Sequence, residues 1–179
     1  MAHSIELLLD PDSDHAIRAQ WQALTEAGLP SQSHVKSPTN RPHITLLAAQ
    51  RISAGVDEVL RELGERLPFD AVIGAPLVFG GSKLSLARLI VPSADLLAVH
   101  AEVYRLALPY VTGDPYPHCA PGHWTPHATL GRRFNTEQIG PALAAVQGAG
   151  LPNGGDLAAR ITGMRRWDSD QRVDQILIG

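Results

Sequence analysis

The chain has one cysteine, Cys119. Without a second thiol there is no internal disulfide and no four-cysteine metal site. It also lacks charge of one sign. Fifteen basic residues against 18 acidic ones leave a net charge of −3 at pH 7. The whole is no polycation, so bulk nucleic-acid binding is not implied, although local basic patches remain open. Lysine is scarce, and 13 of the 15 basic residues are arginine. Arginine offers phosphate a planar fork of donors, but a genome-wide codon bias gives the same count. No apolar stretch approaches the length of a bilayer span. The start, Met1-Ala2-His3-Ser4, places no basic region before its short apolar run, so it does not read as a signal peptide. A soluble cytoplasmic protein with no membrane partner is expected.

What the chain does have is a repeat. Pro-His-x-Thr-Leu occurs as Pro42-His43-Ile44-Thr45-Leu46 and again as Pro126-His127-Ala128-Thr129-Leu130. Chance placement of 8 His and 8 Thr in 179 residues gives roughly 0.36 His-x-Thr matches, and far fewer with Pro before and Leu after. Each copy reads as a β-strand, in which residues two apart share a face. His43 with Thr45, and His127 with Thr129, would then project together, while Ile44, Leu46, Ala128 and Leu130 turn to the core. Two such strands brought together would surround one small anionic group with two imidazoles and two hydroxyls. Histidine titrates near neutral pH. One ring can therefore remove a proton from water while the other gives one to a leaving oxygen. The hydroxyls can hold non-bridging phosphate oxygens. Neither a nucleophilic Ser or Cys nor a metal or cofactor is required. For one phosphate to touch both rings, His43 and His127 should lie on adjacent central strands.

The flanking sequence repeats as well. Ile5, Leu7 and Leu9 mark a buried strand. Asp10 then caps a helix with Pro11 at its first position, Ile17, Trp21 and Leu24 on its apolar stripe and Gly28 as its stop. After the strand at His43 to Ala48 a helix is expected over about Ser53 to Leu67, then a strand at Phe69 to Ile73. In the second half Gly80-Gly81 turns Leu77-Phe79 into a strand from Lys83 to Val91. Ser93 caps a helix carrying Leu96, Leu97, Val103 and Leu106. The second motif strand runs His127 to Arg133, and Thr136 is expected to cap the next helix. Gly154-Gly155 should turn into strands at Leu157 to Trp167 and Arg172 to Ile178. Asp12 to His43 spans 31 residues and Asp95 to His127 spans 32. At 179 residues the expectation is a single bilobal α+β domain, its lobe-forming halves about 1–75 and 76–179.

On His43-Ile44-Thr45-Leu46 and on Trp124-Thr125-Pro126-His127-Ala128-Thr129-Leu130-Gly131-Arg132, the chain resembles the two-histidine (2H) phosphoesterase superfamily, in its 2′-5′ RNA ligase-like branch. The resemblance implies a bilobal fold with antiparallel sheets lining a central cleft and helices outside. It also implies opening of 2′,3′-cyclic phosphates on RNA ends or nucleotides, or ATP-independent 2′-5′ RNA joining. It puts His43, Thr45, His127 and Thr129 on the family's catalytic positions. His127 is then the water-activating ring and His43 the proton donor. Many members have Arg at the position of Arg132. Strand parity instead puts Arg133 on the face of His127, unless a bulge at Gly131 re-aims the chain.

Weaker candidates surround these. Arg41 could contact phosphate, or be a surface loop residue. Tyr116 and Trp124 could stack on a base, or pack against the lobe. His118, Cys119 and His123 form a loose cluster that matches no standard zinc spacing. His3, His15, His34 and His100 have no supporting context. The reading is a metal-independent cyclic phosphodiesterase, expected to act as a monomer. Its rivals are a physiological ligase, a non-catalytic RNA-end binding protein and a small-metabolite esterase.

Overall fold

Strand β1 (His3–Leu9) is buried at every position, as its apolar run predicts. Asp10 ends it and caps helix α1 (Pro11–Glu26), accepting from the backbone N–H groups of Asp12 and Ser13. Ile17, Trp21 and Leu24 form the buried stripe of α1, and Gly28, at φ +69°, lets the chain leave the helix. A 3-10 turn at Gln32–His34 leads to β2 (His43–Ala49), the first motif strand, and the short β3 (Arg51–Ile52). These coordinates are a computed structural model describing residues 2–151 and 155–179. Gly154 of the expected Gly154-Gly155 turn lies outside the described residues.

The helix expected over Ser53 to Leu67 is cut in two, with α2 (Val56–Arg61) followed by a 3-10 segment, Glu62–Arg66. Gly55 gives α2 no side-chain cap, and Gly64 is a poor helix former. Strand β4 (Phe69–Gly80) joins two segments that the sequence suggested separately, with a register shift between Ile73 and Pro76. Pro76 has no N–H for the ladder, and such a shift tolerates it. Strand β5 (Leu84–Ile90) precedes α3 (Ala94–Ala107), which Ser93 caps as expected. Then come β6 (Val111–Thr112), paired with β3, and β7 (His127–Phe134), the second motif strand. Helix α4 (Thr136–Val146) is capped by Asn135, not Thr136. Asn135 and Gln138 exchange side-chain-to-backbone bonds in a capping box, which the threonine one position later cannot form. Strands β8 (Leu157–Asp168) and β9 (Val173–Ile178) complete the fold. None of the described helices is long and apolar enough to cross a membrane.

Seven strands form one antiparallel sheet with the path β2-β1-β8-β4-β5-β7, and β9 joins at β8. The motif strands are therefore not the adjacent central strands expected from the sequence; they are the two ends of the path. Each pairs only with the strand that opens its own half, β2 with β1 and β7 with β5. The ends still meet, because Cα atoms of β2 and β7 come within 8 Å of one another. The halves also exchange helices. α1 packs on β7 and α4, whereas α3 packs on β2 and α2. Two tryptophans fasten this exchange. Trp21 of α1 donates its indole N–H to the Thr129 carbonyl at 3.0 Å, and Trp124 donates to the Thr45 carbonyl at 2.9 Å.

A buried ion pair ties α2 to β8. Arg166 donates to both Asp57 oxygens, at 2.6 and 3.0 Å, and each residue is 7% exposed. Removing Asp57 takes both short bonds from Arg166 and leaves it only the longer contact to Asp168, at 3.8 Å. Asp57→Ala is expected to lose about 3 kcal/mol, read as a lower denaturant midpoint at unchanged slope. A loss below about 0.5 kcal/mol, ordinary for a surface residue, would refute that role.

Candidate active site in the cleft between the motif strands

Both motif strands carry a β-bulge at the same place. On β2 the pairing goes from Glu6↔Thr45 to Ile5↔Leu47, so Leu46 has no partner. On β7 it goes from Ala87↔Thr129 to Leu86↔Gly131, so Leu130 has none. A bulge inverts the alternation beyond it. Ser85, which shares a face with Ala87, pairs with Arg132. Arg132 therefore joins the face of His127 and Thr129, which settles the parity conflict between Arg132 and Arg133. Close packing holds the kink. A Cβ on Gly131 would collide with the Pro30 carbonyl and come within 2.8 Å of the Phe134 ring. Arg133 is re-aimed too, by a left-handed backbone of φ +68°, a conformation uncommon outside glycine.

The two histidines are anchored alike. His43 Nδ1 lies 2.7 Å from the Arg41 carbonyl, and His127 Nδ1 lies 2.7 Å from the Thr125 carbonyl. A carbonyl only accepts, so in each ring Nδ1 carries the proton and Nε2 is left to act. The proline between each carbonyl and its histidine favours the extended backbone that supports this contact. Both rings line one cleft of about 1140 Å³, with Thr45, Arg132, Arg133, Tyr116 and Trp124 on its walls. Thr129 shares the His127 face of β7 but is 9% exposed and is not part of the cleft lining. Ile44, Leu46, Ala128 and Leu130 are fully buried behind, as their alternation predicts.

The electrostatics differ between the two rings. Burial pushes the His127 imidazole below its ordinary pKa; the Thr125 carbonyl opposes this, and Arg132, His43 and His118 reinforce it. Beside His43 lies Glu6, with Oε1 3.6 Å from Nε2. Burial alone would raise this carboxyl. His43, Arg165 and the Ser4 hydroxyl outweigh it and hold Glu6 below the usual carboxylate range. Arg165 Nε donates to Glu6 at 2.8 Å, and its Nη1 bridges Asp174 and the Thr39 carbonyl.

A model of the 2′-5′ RNA ligase superfamily matches residues 11–170. The chain belongs to this superfamily. No curated protein is matched by its sequence at a significant level. Solved structures share the fold of this ligase-superfamily member at low identity. Kluyveromyces marxianus Usb1 aligns at 12% identity and a TM-score of 0.55, over 99% of this chain and 98% of that one. Its complex with uridine monophosphate aligns at 12% and 0.56, over 99% and 97%. E. coli LigT with 3′-AMP aligns at 13% and 0.56, over 99% and 93%. The superfamily is generally enzymatic, as phosphoesterases or ligases.

The remaining candidates in this superfamily member separate by position. Arg41 has its Nε 3.7 Å from Asp14 and is outside the cleft lining. Tyr116 is 41% exposed on the cleft wall. Trp124 has one face stacked on His100 at 3.9 Å and its N–H committed to Thr45. This gives His100 a structural context that its sequence position did not. Burial keeps its pKa low, and its Nε2 lies 2.9 Å from the Cys119 carbonyl. His118, Cys119 and His123 all border the cleft, but among the described residues only His3, Asp168 and Asp170 bring three potential ligand atoms within 4.8 Å of one another. Sequence reasoning missed Glu6, Arg165 and Phe79, all on the cleft wall. Phe79 meets the His127 ring edge-on at 4.9 Å. A carboxylate inside the apolar run Ile5-Glu6-Leu7-Leu8-Leu9 was the one signal available.

Proposed function

We propose that the protein is a metal-independent phosphodiesterase that opens a 2′,3′-cyclic phosphate on an RNA end or nucleotide. His127 Nε2 takes a proton from water as the water oxygen bonds to phosphorus. The P–O3′ bond breaks, and His43 gives its proton to O3′. The product is a 2′-phosphate, and exchange with solvent resets both rings. Thr45 and Thr129 donate to the non-bridging oxygens, with Arg132 and Arg133 offering positive charge nearby. The observation that carries this reading is the matched anchoring of the two rings, which frees two Nε2 atoms toward one cleft. The nucleotide complexes of the structural neighbours support a ligand of this size. With the 5′-hydroxyl of a second strand in place of water and the same ring roles, the 5′-oxygen bonds to phosphorus as the P–O3′ bond breaks, which is ATP-independent 2′-5′ joining.

The test is turnover of a 2′,3′-cyclic nucleotide and of a cyclic-phosphate-ended RNA, each with and without chelator. A 2′-phosphate product is expected, at a rate that chelation does not change. Loss of activity on chelation, with recovery on adding one divalent ion, would replace proton transfer between histidines with metal-assisted hydrolysis.

A further inference from the structure

The motif alone does not decide which ring begins as the acid, because both copies carry the same residues. The asymmetry comes from neighbouring positions. Glu6 faces Thr45 across the β1–β2 ladder, and Ala87 occupies the matching place opposite Thr129. Beyond the bulges, Ser4 faces Ala48 in the first half while Ser85 faces Arg132 in the second. One ring thus has a carboxylate across the ladder and an alanine beyond its bulge. The other has an alanine across the ladder and an arginine beyond.

We propose that Glu6 is a positioning residue that gives His43 the proton-donor role and so fixes the direction of attack. The leaving oxygen faces the β1–β2 side and the attacking water the β7 side. This rests on the function proposed above. Charged groups face the ring from several elements, and the carboxylate is the nearest of them. β1 supplies Glu6 and the Ser4 hydroxyl. β8 supplies Arg165, whose single guanidinium is shared between Glu6 and Asp174 of β9, leaving one surplus negative charge. Arg41, two residues before His43, lies 3.7 Å from Asp14 of α1. Across the cleft stand His127 and Arg132 of β7, and His118 of the 3-10 turn Pro117–Cys119. A cationic His43 thus meets a carboxylate 3.6 Å from Nε2, whereas a cationic His127 meets Arg132. Glu6 touches no reacting atom in this scheme. It acts through His43.

The experiment is a ring-by-ring NMR titration of His43 and His127 in the full-length protein without substrate, paired with the pH profile of kcat/KM. In Glu6→Gln the His43 proton should leave at a lower pH, because the ring loses the carboxylate 3.6 Å from Nε2. His127 should move much less. The basic limb of kcat/KM should shift the same way while the acidic limb stays. Glu6→Asp, which keeps the charge, should restore most of the wild-type profile. Glu6→Gln also strips Arg165 of a partner; if it does not fold, Arg165→Gln, which keeps Glu6 and removes the cation that competes for it, should move the His43 titration the opposite way, to higher pH. An unmoved His43 titration in a folded variant overturns the proposal and leaves Glu6 as a structural partner of Arg165. Because the titration needs no substrate, its outcome is separable from the assay. A wild type that cleaves no cyclic phosphate refutes the function even where the His43 titration moves.

Discussion

His127→Ala and His43→Ala should each lower turnover of a cyclic phosphate by about 10²–10⁴-fold, the usual scale for a positioned proton acceptor or donor. Neither change should unfold the protein. Both rings lie on the cleft wall, partly exposed, and among the described residues their short bonds are to carbonyls two residues back. The losses should not multiply in the double variant, because base and acid serve one transition state. Loss of His127 removes the group that deprotonates water. Loss of His43 leaves the departing O3′ without its proton. A product whose alkoxide leaves more easily should therefore rescue His43→Ala and not His127→Ala. Single-turnover rates on two such substrates check this, and near-normal activity in either variant would dismiss the role given to that ring.

Thr45→Val and Thr129→Val should each lower kcat by about 10²–10³-fold, the scale of one lost donor to a developing oxyanion. Valine keeps the branched shape that the strand packs around and removes only the hydroxyl. Packing loss alone should be small even at Thr129, 9% exposed. A change confined to KM would mean that the hydroxyls hold the substrate equally in ground and transition states. The pH profile belongs to the same measurement. With one ring neutral and one charged, kcat/KM in wild type should be bell-shaped. The acidic limb is the release of the His127 proton. Burial, helped by Arg132, lowers the pKa of that ring, so the limb should fall on the acid side of about 6.5. In the valine variants the bell should drop in height and keep its limbs. A flat wild-type profile together with fully active valine variants would end the paired-histidine scheme.

The sequence was most legible where physics is local. The two motif strands, the Asp10 and Ser93 caps and the burial of Ile44, Leu46, Ala128 and Leu130 all follow from alternation and capping chemistry within a few residues. It was misleading where the outcome depends on competition between neighbours. Asn135 takes the cap from Thr136 because only Asn135 has Gln138 three positions ahead. The helix expected over Ser53 to Leu67 breaks because no cap supports its start and Gly64 weakens its end.

The sequence by itself determined which chemical groups are present, namely two histidines and two threonines on two like strands, each histidine preceded by a proline. It also determined the superfamily, through the repeated pentapeptide. Only the tertiary structure decided how these groups meet. Ladder pairing is non-local, so no window of sequence shows that β2 and β7 end the sheet path and face each other, or that α1 and α3 exchange halves. Nor does periodicity show the bulges at Leu46 and Leu130 that bring Arg132 onto the cleft face. The difference between two identical motifs is tertiary as well. It rests on Glu6 and Arg132, which strand register alone sets beside one histidine each.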